Sequence, residues 1–185
     1  MYKKYNKIIL GELNAALNAV DGKQAEKLAD AIIAARKVFV VGVGRVLLML
    51  QAFAKRLNHL GVETWFVGEI NEPAITPDDL LIVGSGSGET AIPVAIAKIA
   101  EKHKARIAYI GSNMDSTVAK AAQMIVRIPC RTKLALPDEL ASAQPMSSLF
   151  EQSLLLLCDT LAFMIIEKKS IKDIHALWQK HANLE

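Results

Sequence analysis

Strands that alternate with helices constrain the fold of this chain more than any other feature. Short runs of β-branched and other apolar residues occur at five places, namely residues 38–41, 64–67, 80–83, 107–110 and 124–128. Most segments between them carry apolar residues at helical spacing, as at Leu50, Phe53 and Leu57. Strands joined through helices form right-handed crossovers, which require a parallel sheet covered on both faces. We therefore predict an α/β fold, a three-layer sandwich around a five-stranded parallel sheet.

The two ends of the chain lie outside this alternation. Helical stretches at about residues 2–20 and 22–36 precede the first strand, with Asp21-Gly22 as the break between them. The tail after the last helix is polar, so we expect it to leave its own core and to reach a neighbouring subunit. We predict one domain over residues 1–185, made of a helical extension (1–36), an α/β core (37–168) and a tail (169–185).

Composition and charge exclude several classes of partner. The net charge is +3 and no basic run with interleaved aromatic residues occurs, which argues against a nucleic-acid partner. Residues 154–166 are apolar but contain Asp159 and are too few to span a bilayer, so we expect no membrane partner. Cys130 and Cys158 form no C-x-x-C motif, which is typical of reduced cysteines in a cytoplasmic protein. Apolar residues make up 52% of this small chain, which favours an oligomer.

The most specific chemical signal is the loop Gly84–Thr90, which follows the third predicted strand. Its glycines allow a tight turn in which successive N–H groups point inward at a helix N-terminus, and such a nest binds anions. The hydroxyl groups of Ser85, Ser87 and Thr90 add donors suited to a phosphate group. An ordinary helix cap also uses serine and glycine, but it does not require three interleaved hydroxyls. The pattern therefore predicts a phosphate-binding loop.

A second glycine loop, Gly42-Val43-Gly44-Arg45, follows the first predicted strand. It is a weak match to a dinucleotide-binding fingerprint, because Leu47 stands where the third glycine belongs. In a doubly wound sheet of order 2-1-3-4-5, the first and third strands are neighbours, and ligands bind beyond their carboxyl ends. Both glycine loops would then face one cleft, with Arg45 beside the anion.

Glu151 is the candidate catalytic carboxylate. It lies near the start of a long helix predicted to begin at Pro145, where it can share a face with Ser147 and Ser148. A solvated glutamate near a helix N-terminus would give the same pattern. The chain has no Walker A lysine, no H-E-x-x-H motif and no metal-ligand spacing among its histidines, so we expect no metal site.

The chain resembles a known family through these and other motifs. The S-x-S-G-x-T loop at Ser85–Thr90 is similar to the signature of sugar isomerase (SIS) domains. The resemblance to one branch, the 6-phospho-3-hexuloisomerases, extends along nearly the whole chain, through residues 42–45, 56–61, 67–69, 144–152 and 181–185. It implies a flavodoxin-like fold, a homotetramer, and neither a metal nor an organic cofactor. It also implies interconversion of D-arabino-hex-3-ulose 6-phosphate and fructose 6-phosphate, a step of formaldehyde fixation by the ribulose monophosphate pathway.

The resemblance also implies roles for individual residues. Glu151 would be the acid and base, while His59 and His181 would assist at the sugar oxygens. Without the resemblance, His59 would pass for a partly buried structural histidine and His181 for a solvent-exposed one. The substrate-binding residues would be Gly44, Arg45, Ser85, Ser87, Gly88, Thr90 and Ser148.

The chain departs from the family pattern at one place. After Gly-x-Gly-Arg the family usually continues Ser-Gly, whereas this chain has Val46-Leu47, which removes a hydroxyl and adds bulk beside the anion. Two alternatives therefore stay open. One is an isomerase of another phosphosugar, such as a heptose or arabinose phosphate, and the other is a non-catalytic SIS protein that senses a sugar phosphate.

Overall fold

The five predicted strands form one sheet in the computed structural model, which describes residues 1–183. Their order is β2-β1-β3-β4-β5, and all neighbouring strands are parallel. The flavodoxin-like three-layer α/β fold is thus confirmed, and the strand order is the one for which both glycine loops face one cleft. The strands are β1 (Val38–Val41), β2 (Thr64–Phe66), β3 (Leu80–Gly84), β4 (Arg106–Gly111) and β5 (Met124–Arg127).

Helices cover both faces of the sheet, so successive strand residues are buried in two different cores. Val38 and Val40 face one core with α1, α2, α3 and α6, whereas Phe39 and Val41 face the other with α4 and α5. The helices are α1 (Tyr2–Asn18), α2 (Gly22–Ala34), α3 (Arg45–His59), α4 (Ala91–Lys102), α5 (Thr117–Ala121) and α6 (Ser148–Lys168), followed by a 3₁₀ helix (His175–Lys180).

One helix begins later than the sequence predicts. We expected the last long helix to begin at Pro145, but α6 begins at Ser148. Met146 has a φ of +56°, which lies outside the α-helical region, so the chain turns here before the helix starts.

The strand order determines where the candidate site lies. Val41 at the end of β1 is paired in register with Val83 of β3, so the loops after these strands emerge side by side. From this point the chain continues through α3 on one face of the sheet and through α4 on the other. A crevice is therefore left between the two loops at the carboxyl edge of the sheet.

Helix α6 is apolar on nearly all sides because it is a core helix. It packs against α1, α2 and α3, and Leu154, Leu157 and Leu161 are buried there. By length and composition alone it could cross a membrane, but half of its most apolar stretch of 18 residues is buried inside the protein. A core helix of this kind passes such a test without being a membrane span.

The tail folds onto its own chain as far as the structure describes it. Ile171 and Leu177 pack against the core, and Nζ of Lys169 donates to the carbonyl oxygen of Leu60 at 3.1 Å. The expectation that the tail leaves its own core is therefore wrong for residues 169–183. Its apolar residues, spaced among charged ones, give the tail a side that packs on α3. The final residues of the 181–185 motif, 184 and 185, lie outside the described part of the chain.

Both cysteines are buried, and neither forms a disulfide. Burial raises the pKa of the Cys130 thiol to about 11, and the Sγ of this residue lies 3.8 Å from Oγ of Ser153. Burial raises the pKa of Cys158, on α6, as well. Two protonated thiols are therefore part of the core on the α6 side of the sheet.

Candidate active site

The loop between β3 and α4 adopts the nest that its sequence predicts. Oγ of Ser85 accepts a hydrogen bond from the Gly88 amide at 3.0 Å and lies 3.2 Å from Oγ1 of Thr90, while Oγ of Ser87 accepts from the Glu89 amide. Within residues 1–183, the N–H groups of Gly86, Ser87 and Thr90 donate no hydrogen bond. Donors left free at the start of a helix are what an anion requires.

The glycine at position 88 is required by the turn. Its φ is +63°, a backbone conformation that residues other than glycine rarely adopt, and an added Cβ would collide with Ser116 and Tyr109. Gly88 thus lies on the buried side of the loop rather than in the cleft, and it acts by allowing the turn.

The carbonyl groups of the loop accept hydrogen bonds from the end of β4 and the residue that follows it. The carbonyl oxygen of Ser85 accepts a hydrogen bond from the hydroxyl of Tyr109 at 2.9 Å, and that of Gly86 accepts from the Ser112 amide at 3.0 Å. Burial raises the pKa of Tyr109 to about 12, so its hydroxyl stays protonated and available as a donor. Because these carbonyl groups are bound on the protein side, the loop amides are left to face the cleft.

The acidic residue of the loop, Glu89, is directed toward α5 and away from the predicted anion site. Its carboxylate accepts hydrogen bonds from the amide and the hydroxyl of Thr117 at 2.7 and 2.8 Å, at the start of α5. These bonds hold the pKa of Glu89 below its usual value. The charge that would repel a phosphate is thus paired with the first turn of another helix.

The loop after β1 brings a cation to the candidate catalytic carboxylate. Gly44 has φ +59° and ψ −135°, which only glycine adopts readily, and it starts α3 at Arg45. Nε of Arg45 lies 2.8 Å from Oε2 of Glu151. The Glu151 side chain is only 12% exposed, whereas that of Arg45 is 56% exposed and can move toward a ligand. The structure therefore joins two of the predicted site residues in an ion pair.

A cleft of about 270 Å³ lies between the two glycine loops and the start of α6. Four of the predicted site residues line it, namely Ser85, Ser87, Thr90 and Glu151. Sequence reasoning did not assign several of the others to the site, namely Val43, Thr132, Lys133, Met146, Ser147 and Phe150. Val46 also lines the cleft, at the position where the chain departs from the family pattern.

Ser147 lines the cleft, whereas Ser148 does not. The hydroxyl of Ser148 donates to the carbonyl oxygen of Pro145 at 2.8 Å, and the residue is buried. The two serines are adjacent in sequence, but Ser147 belongs to the turn that precedes α6, whereas Ser148 is the first residue of the helix. In this chain Ser148 therefore stabilises the start of the helix, and of these two serines only Ser147 lines the cleft together with Glu151.

Lys133 supplies a second cation to the cleft. It lies in the irregular segment between β5 and α6, within which a bridge joins Cys130 and Leu140. The carboxylate of Glu139 accepts hydrogen bonds from the amide and hydroxyl of Thr132 and from the amide of Leu136, at 2.9 to 3.0 Å. This segment is thus an ordered loop that holds Thr132 and Lys133 over the cleft.

His59 and His181 lie together but far from Glu151 of the same chain. Their ring centroids are 5.4 Å apart, beside Trp178 in a separate cavity of about 210 Å³. Burial, together with the charges of Arg56, Lys55 and His181, lowers the pKa of His59. Because α3 has 15 residues and rises 1.5 Å per residue, its two ends, Arg45 and His59, are about 21 Å apart. The structure thus brings the predicted catalytic residues together in two groups rather than one.

The described residues offer the chemistry of anion binding with acid and base catalysis. Residues 1–183 contain no group of three or more His, Cys, Asp or Glu side chains that could hold a metal ion. The cleft instead combines free amides and hydroxyls with one lysine, Lys133, and one carboxylate, Glu151, and Arg45 is not a lining residue but is paired with that carboxylate. Such a set can bind a phosphate at one end of a small substrate and move a proton at the other.

Comparison with known proteins agrees with this geometry. The SIS domain family matches residues 31–158. A 3-hexulose-6-phosphate isomerase of Bacillus subtilis is 38% identical over 177 residues, covering 96% of this chain and 95% of the relative. One of Mycobacterium gastri is 39% identical over 166 residues, with 90% and 82% covered.

A crystal structure from Methanococcus jannaschii, for which a 3-hexulose-6-phosphate isomerase function was inferred, is also similar. It has a TM-score of 0.84 and 29% identity, and the similarity covers 98% of this chain and 99% of that one. The matched family region contains both glycine loops and Glu151. The chain belongs to the SIS domain family.

Proposed function

We propose that this protein is a 3-hexulose-6-phosphate isomerase, which interconverts D-arabino-hex-3-ulose 6-phosphate and fructose 6-phosphate. The observation that carries the proposal is the position of Glu151 in the wall of a cleft that also contains the phosphate loop. The names of the relatives identify the substrate class. The proposal takes residues 1–185 as one SIS domain that needs neither a metal nor an organic cofactor.

The phosphate would bind to the loop at Ser85, Ser87 and Thr90, with Arg45 and Lys133 as neighbouring cations. Amide and hydroxyl donors at a helix N-terminus form charge-assisted hydrogen bonds with such a group. Binding at this end fixes the distance from the phosphate to the reacting carbons, which converts binding energy into orientation.

Glu151 would carry the proton between the two carbons. In the first step Glu151 removes the proton of C2 from the 3-ketose while O3 gains a proton, which gives a cis-enediol. In the second step Glu151 returns a proton to C3 while the C2 hydroxyl loses its proton, which gives the 2-ketose. A single carboxylate on one face of the enediol can serve both steps. General acid and base catalysis of this kind typically contributes ~10²–10⁴-fold.

Two further features belong to the proposal. The protein is a cytoplasmic homotetramer without a nucleic-acid or membrane partner, and each active site takes His59 and His181 from a neighbouring subunit. The separation of about 21 Å along α3 supports the second statement, because neither imidazole can reach the sugar bound in its own chain. Trp178, which contacts His181, and Phe163, which lines an adjacent cavity, are both exposed and suit a subunit contact.

The test is a coupled assay that supplies 3-hexulose 6-phosphate and measures the fructose 6-phosphate formed. We expect turnover by the native protein and its near loss in Glu151→Gln, which keeps the shape of the side chain, while fructose 6-phosphate still binds. Glu167→Gln, at the exposed end of the same helix, is the matched control and should be fully active. Near-normal turnover by Glu151→Gln would eliminate this residue as the proton shuttle.

Val46 keeps a second candidate function open, because it lines the cleft where the family has serine. A cleft adapted to Val46 would bind another phosphosugar, such as a heptose or arabinose phosphate, either as an isomerase or as a sensor. The same assay separates these functions when each phosphosugar is offered in turn. Turnover of arabinose phosphate without turnover of 3-hexulose 6-phosphate would replace the proposed substrate.

A further inference from the structure

Glu12, on the N-terminal helix α1, binds a segment that is 130 residues away in the sequence. Its carboxylate accepts hydrogen bonds from the amide of Ala143 at 2.7 Å, the hydroxyl of Ser142 at 2.6 Å and the side-chain amide of Gln144 at 2.9 Å. Burial acts to raise the pKa of Glu12, but these three bonds hold it below its usual value. The group that binds residues 142–144 is therefore a carboxylate at neutral pH.

The segment that Glu12 binds leads directly into the active site. Only a short turn separates Gln144 from α6, whose first helical turn contains Glu151, and Met146, Ser147 and Glu151 of this stretch line the cleft. The turn is tight, because both the amide and the hydroxyl of Ser148 donate to the carbonyl oxygen of Pro145. Met146 adopts a φ of +56°, a conformation that persists only where the surroundings hold it.

We infer that Glu12 is a positioning residue, which sets the place of Glu151 by holding residues 142–144 against α1. This inference rests on the proposed isomerase function. The phosphate loop makes no hydrogen bond to Glu12 or to residues 142–144 within the described chain. Loss of Glu12 should therefore displace the catalytic carboxylate and leave the phosphate site as it is.

The chemistry of the three donors explains why the residue is a glutamate. A carboxylate has two oxygens that accept, whereas a glutamine presents one oxygen and one N–H₂ group. In Glu12→Gln at least one donor of residues 142–144 would face another donor. The substitution therefore loosens the contact without removing side-chain volume.

The experiment compares Glu12→Gln with Glu26→Gln, which removes the same charge from an exposed position on α2. For Glu12→Gln we expect kcat to fall roughly 10- to 100-fold, because a displacement of about 1 Å at a catalytic group can cost that much. The dissociation constant for fructose 6-phosphate should change less than about threefold, and the Ala143 amide should exchange hydrogen faster. Glu26→Gln should match the native protein in every measurement.

A second variant tests the contact from the other side if Glu12→Gln folds poorly. Ser142→Ala removes one of the three donors and should lower kcat in the same direction by a smaller factor. Unchanged kcat in both variants, with faster exchange at Ala143, would overturn the inference. So would an equal loss of kcat and binding, since that would indicate general damage to the fold. A native protein without turnover would refute the proposed function first, which is a different result.

Discussion

Subunits that carry Glu151→Gln and subunits that carry His181→Ala should restore each other's activity when they assemble together. Glu151 lies by the Arg45 end of α3 and the pair of His59 and His181 by its other end, about 21 Å away. No side chain spans that distance within one chain. If both groups serve one reaction, they must therefore come from different subunits.

The size of the effect follows from chance assembly. In an equal mixture, half of the chains carry an intact Glu151 and half carry an intact His181. About a quarter of the shared sites then combine both intact residues in a symmetric oligomer. Each variant alone should retain at most ~10⁻² of the native rate, because loss of a general acid or base typically costs ~10²–10⁴-fold. The recovered activity is thus well separated from the background.

The two proteins are unfolded, mixed and refolded, and the mixture is assayed beside each variant refolded alone. A second mixture, of native protein with the double variant, is the matched control. This control mixture should retain about a quarter of the native sites if His181 comes from a neighbouring subunit. It should retain about half if Glu151 and His181 of each site come from the same chain. A first mixture that stays inactive would refute the shared site. Normal turnover by His181→Ala alone would shift the role to His59.

Three further substitutions test the phosphate loop, the departure from the family pattern at Val46, and the contribution of Asp79 to the stability of the fold. Ser87→Ala removes one donor from the phosphate loop, so calorimetry should show fructose 6-phosphate binding weakened by roughly 1.5–3 kcal/mol, and unchanged affinity would contradict the loop assignment. Val46→Ser restores a hydroxyl beside the anion and should strengthen binding by about 1 kcal/mol; weaker binding would indicate a cleft adapted to valine.

The third change concerns Asp79, which is fully buried and accepts hydrogen bonds from Arg36 and Thr76. Burial acts to raise its pKa, but these partners hold the pKa below its usual value, so its stabilisation is present above about pH 4 and is lost as the pH falls. Acid unfolding followed by circular dichroism should show this loss in the native protein, and Asp79→Asn should reduce it.

The fold could be predicted because its signals are local. The β-branched run that ends at Gly42 and the one that ends at Gly84 mark their strands, and both strands form as predicted. The order 2-1-3-4-5 then brought the two glycine loops together, as the structure shows. The start of α6 was missed because a proline commonly opens a helix, whereas here the turn at Met146 delays it.

The site could be predicted only in part, because several of its members are joined by distant contacts. Lys133 follows no motif, and its place over the cleft depends on how Glu139 orders its loop. Glu12 appears in sequence as an ordinary polar residue of an amphipathic helix. The fold of the tail was misjudged from its average polarity, although Leu177 and Trp178 were visible. A pattern reports periodicity along the chain, and it does not report which distant segment completes a hydrogen bond.

The buried cysteines have a consequence for the chemical durability of this protein. Electrophiles attack the thiolate form of cysteine, and a thiol with a pKa of about 11 is ionised in only roughly one molecule in 10⁴ at neutral pH. If the protein acts in formaldehyde fixation, as the family resemblance implies, it works close to a small electrophile that reacts readily with exposed thiols. Cys130 and Cys158, protonated and enclosed by the core, present no such target. The two cysteines should therefore stay unmodified, as mass spectrometry of the folded protein would show, at formaldehyde doses that modify accessible thiols in other proteins.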